Sequence, residues 1–192
     1  MKKNVLLSIV LCLVGFQSFA QSGPVQAAPS VDLPSFLGSW YEIASMPQFF
    51  QRNCAKNTIA NYSLDEAGGM NVVNTCVKKN GDLITASGKA KVADETTNSK
   101  LSVTFLKLGT WIYITSSNYW ILDVPSDYRF AVVGTKNADY GWILSRTPRM
   151  SEEDLLAATE VLRRNGFDLC KFDITPQDGG SPQKLNLCDI VN

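Results

Sequence analysis

Cysteine is the most reactive side chain this sequence offers, at positions 12, 54, 76, 170 and 188, and histidine is absent. A thiol needs a neighbouring base or cation to become a nucleophile. Without histidine there is no Ser-His-Asp triad, no Cys-His pair, no His-ligated haem and no His-containing zinc site. Acid–base chemistry would fall to the tyrosines and to Glu42, a carboxylate inside an apolar run. No residue pattern calls for a metal or a cofactor. The 18 Lys+Arg balance the 18 Asp+Glu, so no basic excess points to nucleic acid.

The start of the chain explains the odd cysteine. Lys2-Lys3, an apolar run from Val5 to Phe16, and Ser18-Phe19-Ala20 before Gln21 read as a secretory signal peptide over residues 1–20. Cys12 lies inside the apolar run behind Leu11, where a small residue would be wanted for lipid anchoring, so a lipid anchor is not expected. Removing residues 1–20 leaves a formal charge of −2 and four cysteines. An even number in an exported chain implies disulfides. Four cysteines allow three pairings. Folding the hairpin that follows Cys54 brings it near Cys76, which favours Cys54–Cys76 with Cys170–Cys188.

The elements that must hold these residues are strands. Residues 21–32 are rich in Pro, Ala, Ser and Gly and read as a flexible leader. From Gly38 on, extended runs cover Trp40–Ser45, Thr58–Leu64, Met70–Val77, Leu83–Val92, Lys100–Leu106, Tyr119–Val124, Tyr128–Thr135 and Tyr140–Ser145. Turn residues such as Asp65-Glu66-Ala67-Gly68-Gly69 and Lys79-Asn80-Gly81-Asp82 recur about every 8–12 residues, the spacing of an antiparallel sandwich or barrel. Lys107–Asn118 reads as a loop or an irregular strand around Gly109. One amphipathic helix follows. Ser151 caps it, Glu152, Glu153 and Asp154 suit its positive end, and Arg163 and Arg164 its negative end. Leu155, Ala158, Thr159 and Leu162 form a stripe that the outside of a barrel could cover. Lys171–Thr175 reads as a last strand before a turn-rich tail over residues 176–192.

Three separated motifs then line up. Gly38-Ser39-Trp40 opens the first strand, Asp127-Tyr128 precedes a late strand, and Arg146 closes Trp142-Ile143-Leu144-Ser145-Arg146. Together they resemble the lipocalin family, over residues 33–175, and most of all bacterial lipocalins and apolipoprotein D. The resemblance implies an all-β fold, an eight-stranded antiparallel up-and-down barrel with one C-terminal helix packed outside. It implies a floor in which Trp40 plugs the closed end under Arg146, with Gly38, Asp127 and Tyr128 as further structural residues. It also suggests a rival pairing, Cys54–Cys188 with Cys76–Cys170.

Strand side chains alternate. With Trp40 inward, Glu42, Ala44 and Met46 follow on the inner side, Glu42 as a structural group near the closed end. The lipocalin pattern adds Ala60 and Tyr62, then Val72 and Asn74, then Ala86 and Ala90. Leu101, Val103 and Phe105 come next, then Tyr119 and Ile121, Ala131 and Val133, and Tyr140 and Trp142. That wall suits an amphipathic lipid. The segment Met46–Asn57, with Phe49 and Phe50, would form a lid. The expected function is non-enzymatic transport or storage of a hydrophobic small molecule, a fatty acid or lysophospholipid, in the bacterial envelope, periplasmic or secreted. A peripheral membrane contact and a homodimer stay open. The alternatives are a lipid-modifying enzyme using Glu42, and an interaction module with a filled barrel.

Overall fold

The computed structural model describes residues 23–66, 69–114 and 118–191. The expected signal peptide and the Ala67-Gly68 part of the first turn lie outside them. In chain order the strands are β1 (Gly38–Ser45), β2 (Lys56–Leu64), β3 (Met70–Val77), β4 (Leu83–Val92), β5 (Lys100–Thr104), β6 (Lys107–Leu108), β7 (Thr110–Trp111), β8 (Tyr119–Asp123), β9 (Phe130–Gly134), β10 (Gly141–Ser145) and β11 (Asp173–Ile174). Helix α1 spans Leu33–Phe36 and α2 spans Glu152–Arg164.

Eight of the strands make the barrel. Neighbours pair antiparallel from β1 through β5 to β8, β9 and β10, and β10 returns to β1. Closure leaves no long free edge. The short strands β6 and β7 pair only with each other and form a hairpin within residues 105–118. Tyr128, which the sequence places in a strand, stands at φ +55° in the turn before β9. Lys171–Thr175 is a 3₁₀ turn at Leu169–Lys171 followed by β11, which takes the edge of β1 at Ala44–Ser45.

Period-two alternation divides the apolar residues between two cores. One fills the barrel floor around Phe36, Trp40, Leu101, Ile121, Ala131 and Val133. The other lies between the outer wall and α2, where Ile43, Phe130, Val132 and Ile143 meet Ala158, Val161 and Leu162. All five residues of β9 are buried because α2 covers one face and the barrel interior the other. Gly134 and Gly141 sit opposite each other on the outer face. A Cβ at either would stand under 3 Å from a ring carbon of Phe167 or Phe172, so the pair lets both rings approach the sheet closely. Ser151 Oγ accepts the Asp154 amide at the start of α2, and Asp154 pairs with Arg129 beside β9. The guanidinium of Arg129 holds both Asp154 and Asp127 below the usual carboxylate range.

The disulfides are Cys54–Cys76 and Cys170–Cys188. The first ties the segment after β1 to the end of β3. The second ties the 3₁₀ turn after α2 to the tail. The leader is not loose where it is described. Ala28 and Val31 are buried, with amides bonded to the carbonyls of Ile121 and Thr97, and the Gln26 amide bonds Asn165 Oδ1. Ala28 and Val31 cover apolar floor residues that the barrel leaves open.

At the closed end, the Arg146 guanidinium lies 3.6 Å from the centroid of the fully buried Trp40 ring. Its nitrogens donate to the carbonyls of Ser35, Ser39 and Tyr128. The indole Nε1 donates to the Phe36 carbonyl at 2.8 Å. Gly38 stands at φ +95° against Arg146, a conformation that a side chain would strain. The Tyr128 hydroxyl accepts the Asp32 amide, which pins α1 across the floor. Trp40→Ala should lower unfolding free energy by about 3–5 kcal/mol, read from urea denaturation. An unchanged midpoint would show that the floor does not carry the fold.

Candidate functional site

Above the packed floor the barrel is hollow. A cavity of about 430 Å³ opens at the end opposite Trp40, within the usual range of roughly 300–1,000 Å³ for small-molecule sites. The wall comes from β2 and β3 (Ala60, Tyr62, Val72, Asn74), from β5 and β8 (Val103, Tyr119) and from β10 (Trp142, Leu144). The rim comes from three connections. The segment between β1 and β2 brings Gln48, Phe50 and Gln51, residues 105–118 bring Phe105 and Asn118, and the β9–β10 turn brings Thr135, Asp139 and Tyr140.

An aromatic column joins floor to cavity. Ring centroids are 5.0 Å apart for Trp40–Phe36, 5.4 Å for Phe36–Tyr62, 6.3 Å for Tyr62–Tyr119 and 6.2 Å for Tyr119–Trp142. The Tyr62 and Tyr119 hydroxyls are 2.8 Å apart. Burial pushes the Tyr62 phenol up to about 12, and burial together with the neighbouring Tyr62 raises Tyr119 well above its ordinary value. Both are therefore neutral hydrogen-bonding groups at physiological pH.

The sequence-based wall divides into three groups. Ala60, Tyr62, Val72, Asn74, Val103, Phe105, Tyr119, Tyr140 and Trp142 line the cavity. Ala90, Leu101, Ile121, Ala131 and Val133 belong to the packed floor below it and are sealed off by their neighbours. Ala44, Met46 and Ala86 are elsewhere. A bulge between Glu42 and Ala44, against Leu144 and Ile143 of β10, reverses the alternation. Ala44 and Met46 therefore pack in the outer core toward α2. Ala86, opposite Asn74, is exposed.

The position of Glu42 also differs from expectation. It does not belong to the closed end. It lines the cavity beneath the lid segment and is only 5 % exposed. Its Oε1 accepts from Ser45 Oγ and Thr175 Oγ1, and its Oε2 from Gln51 Nε2 at 2.9 Å. Gln48, Gln51, Thr58, Ile59, Asn118, Thr135, Asp139 and Leu144 were not anticipated as lining. Most sit on connections, where no alternation fixes direction. Leu144 was legible in principle, two residues beyond Trp142 on the same strand face. Phe49 is 80 % exposed beside Phe50, which reaches the cavity. No cluster of potential metal ligands occurs among the described residues. No helix among them is long and apolar enough to cross a membrane.

Known proteins share this fold. The sequence model of the lipocalin-like domain matches residues 31–177. This chain belongs to the lipocalin family. The outer membrane lipoprotein Blc of Escherichia coli K12 is 36 % identical over 156 residues, 81 % of this chain and 84 % of its own length. Temperature-induced lipocalin-1 of Arabidopsis thaliana is 33 % identical over 161 residues, 83 % and 86 % of the two chains. Mouse apolipoprotein D is 33 % identical over 165 residues, 81 % of each. Among solved structures, insecticyanin from the tobacco hornworm Manduca sexta superposes with a TM-score of 0.62 at 24 % identity, covering 82 % of this lipocalin and 89 % of insecticyanin. That last likeness concerns the fold.

The tyrosine pair makes this lipocalin sensitive to alkali. A folded-state value raised from 10.0 to about 12 means that Tyr62 stabilises the fold fully below pH 10. That contribution is lost as pH rises toward 12, because the unfolded chain then holds fewer protons. A shift of this size corresponds to about 2–3 kcal/mol. Urea unfolding between pH 9 and 11.5 should show a falling midpoint, and Tyr62→Phe should flatten the fall.

Proposed function

We propose that this lipocalin is a non-enzymatic carrier, transporting or storing a single-chain lipid of the fatty acid or lysophospholipid class in the bacterial envelope after export. The observation that carries the reading is the apolar cavity in the open half of the barrel, with polar handles at Tyr62, Tyr119 and Asn74. An alkyl chain entering it would exchange water for Val72, Val103, Trp142 and Leu144. Each buried methylene contributes about 0.8 kcal/mol. A chain of ten methylenes thus supplies about 8 kcal/mol before the costs of ordering it. Micromolar affinity then requires the head group to add its own interactions.

Export is supported by the two disulfides, which persist in oxidising compartments, and by similarity to an outer membrane lipoprotein. The non-enzymatic reading is supported by the cavity chemistry. The thiols among the described residues are all in disulfides, and Glu42 is engaged by three neutral donors.

Ala60→Trp places a large ring in the cavity from β2, the strand between β1 and β3. It should leave the circular dichroism spectrum intact and weaken saturable binding of a fluorescent fatty-acid probe at least tenfold. Equal binding by the variant would move the lipid site out of the barrel. Absence of saturable binding by the unaltered protein would overturn the carrier reading.

A further inference from the structure

The barrel is polarised along its axis. β1 leaves the sealed floor at Gly38, and neighbouring strands run antiparallel. The β1–β2, β3–β4, β5–β8 and β9–β10 connections therefore gather at the open end, and β2–β3, β4–β5 and β8–β9 at the closed end. The open-end connections carry Arg52, Lys78, Lys79, Lys107 and Lys136 against Asp82 and Asp139. Those at the closed end carry Asp65, Glu66, Asp94, Glu95 and Asp127 against Arg129. Lys78 pairs with Asp82, and the tail adds two closed pairs near the mouth, Lys56–Asp178 and Lys184–Asp173. Arg52, Lys79, Lys107 and Lys136 are exposed and belong to none of the described ion pairs. The open end is thus basic on a chain whose Lys+Arg and Asp+Glu balance.

Exposed apolar groups collect at the same end. Phe49 is 80 % exposed, Leu108 71 % and Ile114 81 %, and Leu83 and Leu106 are exposed on the same connections or at their strand ends. Phe50, Phe105 and Tyr140 are exposed too and line the cavity, so the apolar rim is continuous with the mouth. Among the described residues the closed end exposes Leu64, and the remainder are Leu156 on α2 and Leu185 and Ile190 in the tail. A collected apolar rim of this kind marks a surface that meets something other than water. On the β6–β7 hairpin, Lys107 Nζ lies 5.3 Å from the Trp111 centroid, with Leu108 next in the chain. Cations beside indole and exposed aliphatic groups suit a membrane–water boundary, where the charge meets head groups and the apolar part meets acyl chains. A second copy of the chain fits poorly, because a two-fold contact sets these cations against their own equivalents. An anionic lipid surface attracts them and receives the apolar tips.

We propose that the open rim docks on an anionic lipid bilayer: Phe49, Leu108 and Ile114 enter the head-group region, Arg52, Lys79, Lys107 and Lys136 meet its negative charge, and the cavity mouth faces the membrane. Docking stands by itself. Its consequence rests on the carrier reading: a single-chain lipid passes between bilayer and barrel without crossing bulk water.

Flotation with vesicles tests docking. The protein, processed after export, is mixed at low salt with vesicles of phosphatidylcholine alone or of phosphatidylcholine with phosphatidylglycerol. Partitioning onto the anionic vesicles should be at least tenfold stronger, and should fall to the phosphatidylcholine level in about 1 M salt, where the Debye length is ~3 Å. Phe49→Ser with Leu108→Ser should weaken it at least fivefold, as should Lys79→Glu with Lys107→Glu and Lys136→Glu. Leu156→Ser should change it by less than twofold. All these side chains are exposed, so circular dichroism should be unchanged. Absence of partitioning, indifference to lipid charge, or an equal loss in Leu156→Ser would overturn docking. So would rim variants that keep full partitioning, or that alter only self-association in sedimentation, which would assign the rim to a second copy. The second readout is delivery of a bound fluorescent fatty acid to acceptor vesicles. Its rate should rise with vesicle concentration and drop at least fivefold in Phe49→Ser with Leu108→Ser. Equilibrium affinity for the probe should stay within twofold, because neither side chain lines the cavity. A rate independent of vesicle concentration would overturn the direct passage. Unaltered protein that binds no probe would overturn the carrier reading, and flotation would still decide docking.

Discussion

The fold hangs on a guanidinium lying flat against an indole. Arg146 stacks on Trp40 while its nitrogens hold the carbonyls of Ser35, Ser39 and Tyr128. One side chain thereby joins the N-terminal turn, the first strand, the turn before β9 and the end of β10. A cation over an aromatic face is worth about 0.5–2 kcal/mol by itself. Its larger consequence is geometric. The floor is sealed, so apolar residues above it pack downward and the hollow forms only in the other half of the barrel.

The cavity inherits its shape from that floor. The Trp40–Phe36–Tyr62–Tyr119–Trp142 column rises from the sealed end into the open one. Its rings share edges and faces, and the paired hydroxyls halfway up are shielded enough to stay protonated. Polarity increases toward the mouth, where Gln48, Gln51, Asn118, Thr135 and Asp139 join the rings of Phe50, Phe105 and Tyr140. An alkyl chain pointing down and a head group pointing up match that gradient.

The lid and the tail are a second, interlocked device. Thr175 bonds the Glu42 carboxylate, and the Gln177 side chain bonds the carbonyls of Glu42 and Thr58. Lys56 and Asn57 meet Asp178. The Cys54–Cys76 link anchors the lid segment to β3, and Cys170–Cys188 closes the tail. Residues far apart in sequence thus fix the environment of one buried carboxylate in the cavity wall.

Strand count, helix and closed end were legible in the sequence, because alternation, turn residues and caps act locally and the Gly38, Trp40 and Arg146 motifs are specific. About half of the anticipated wall lines the cavity for the same reason: Tyr62, Val72, Asn74, Tyr119 and Trp142 follow strict alternation on stretches of strand clear of any bulge. Alternation assigns a face and not a height, so Leu101, Ile121, Ala131 and Val133 face inward yet lie in the filled floor. It also fails at a bulge, which carried Ala44 to the outer core and left Glu42 as the last inward residue of β1. Gln48, Gln51 and Asp139 sit on connections whose direction depends on what they pack against. Where no bulge intervenes, the sequence by itself determined which residues face which side of the β-barrel, and it determined what seals one end. Only the tertiary structure decided how deep the hollow runs and which charges border it, because both depend on packing between segments remote in the chain.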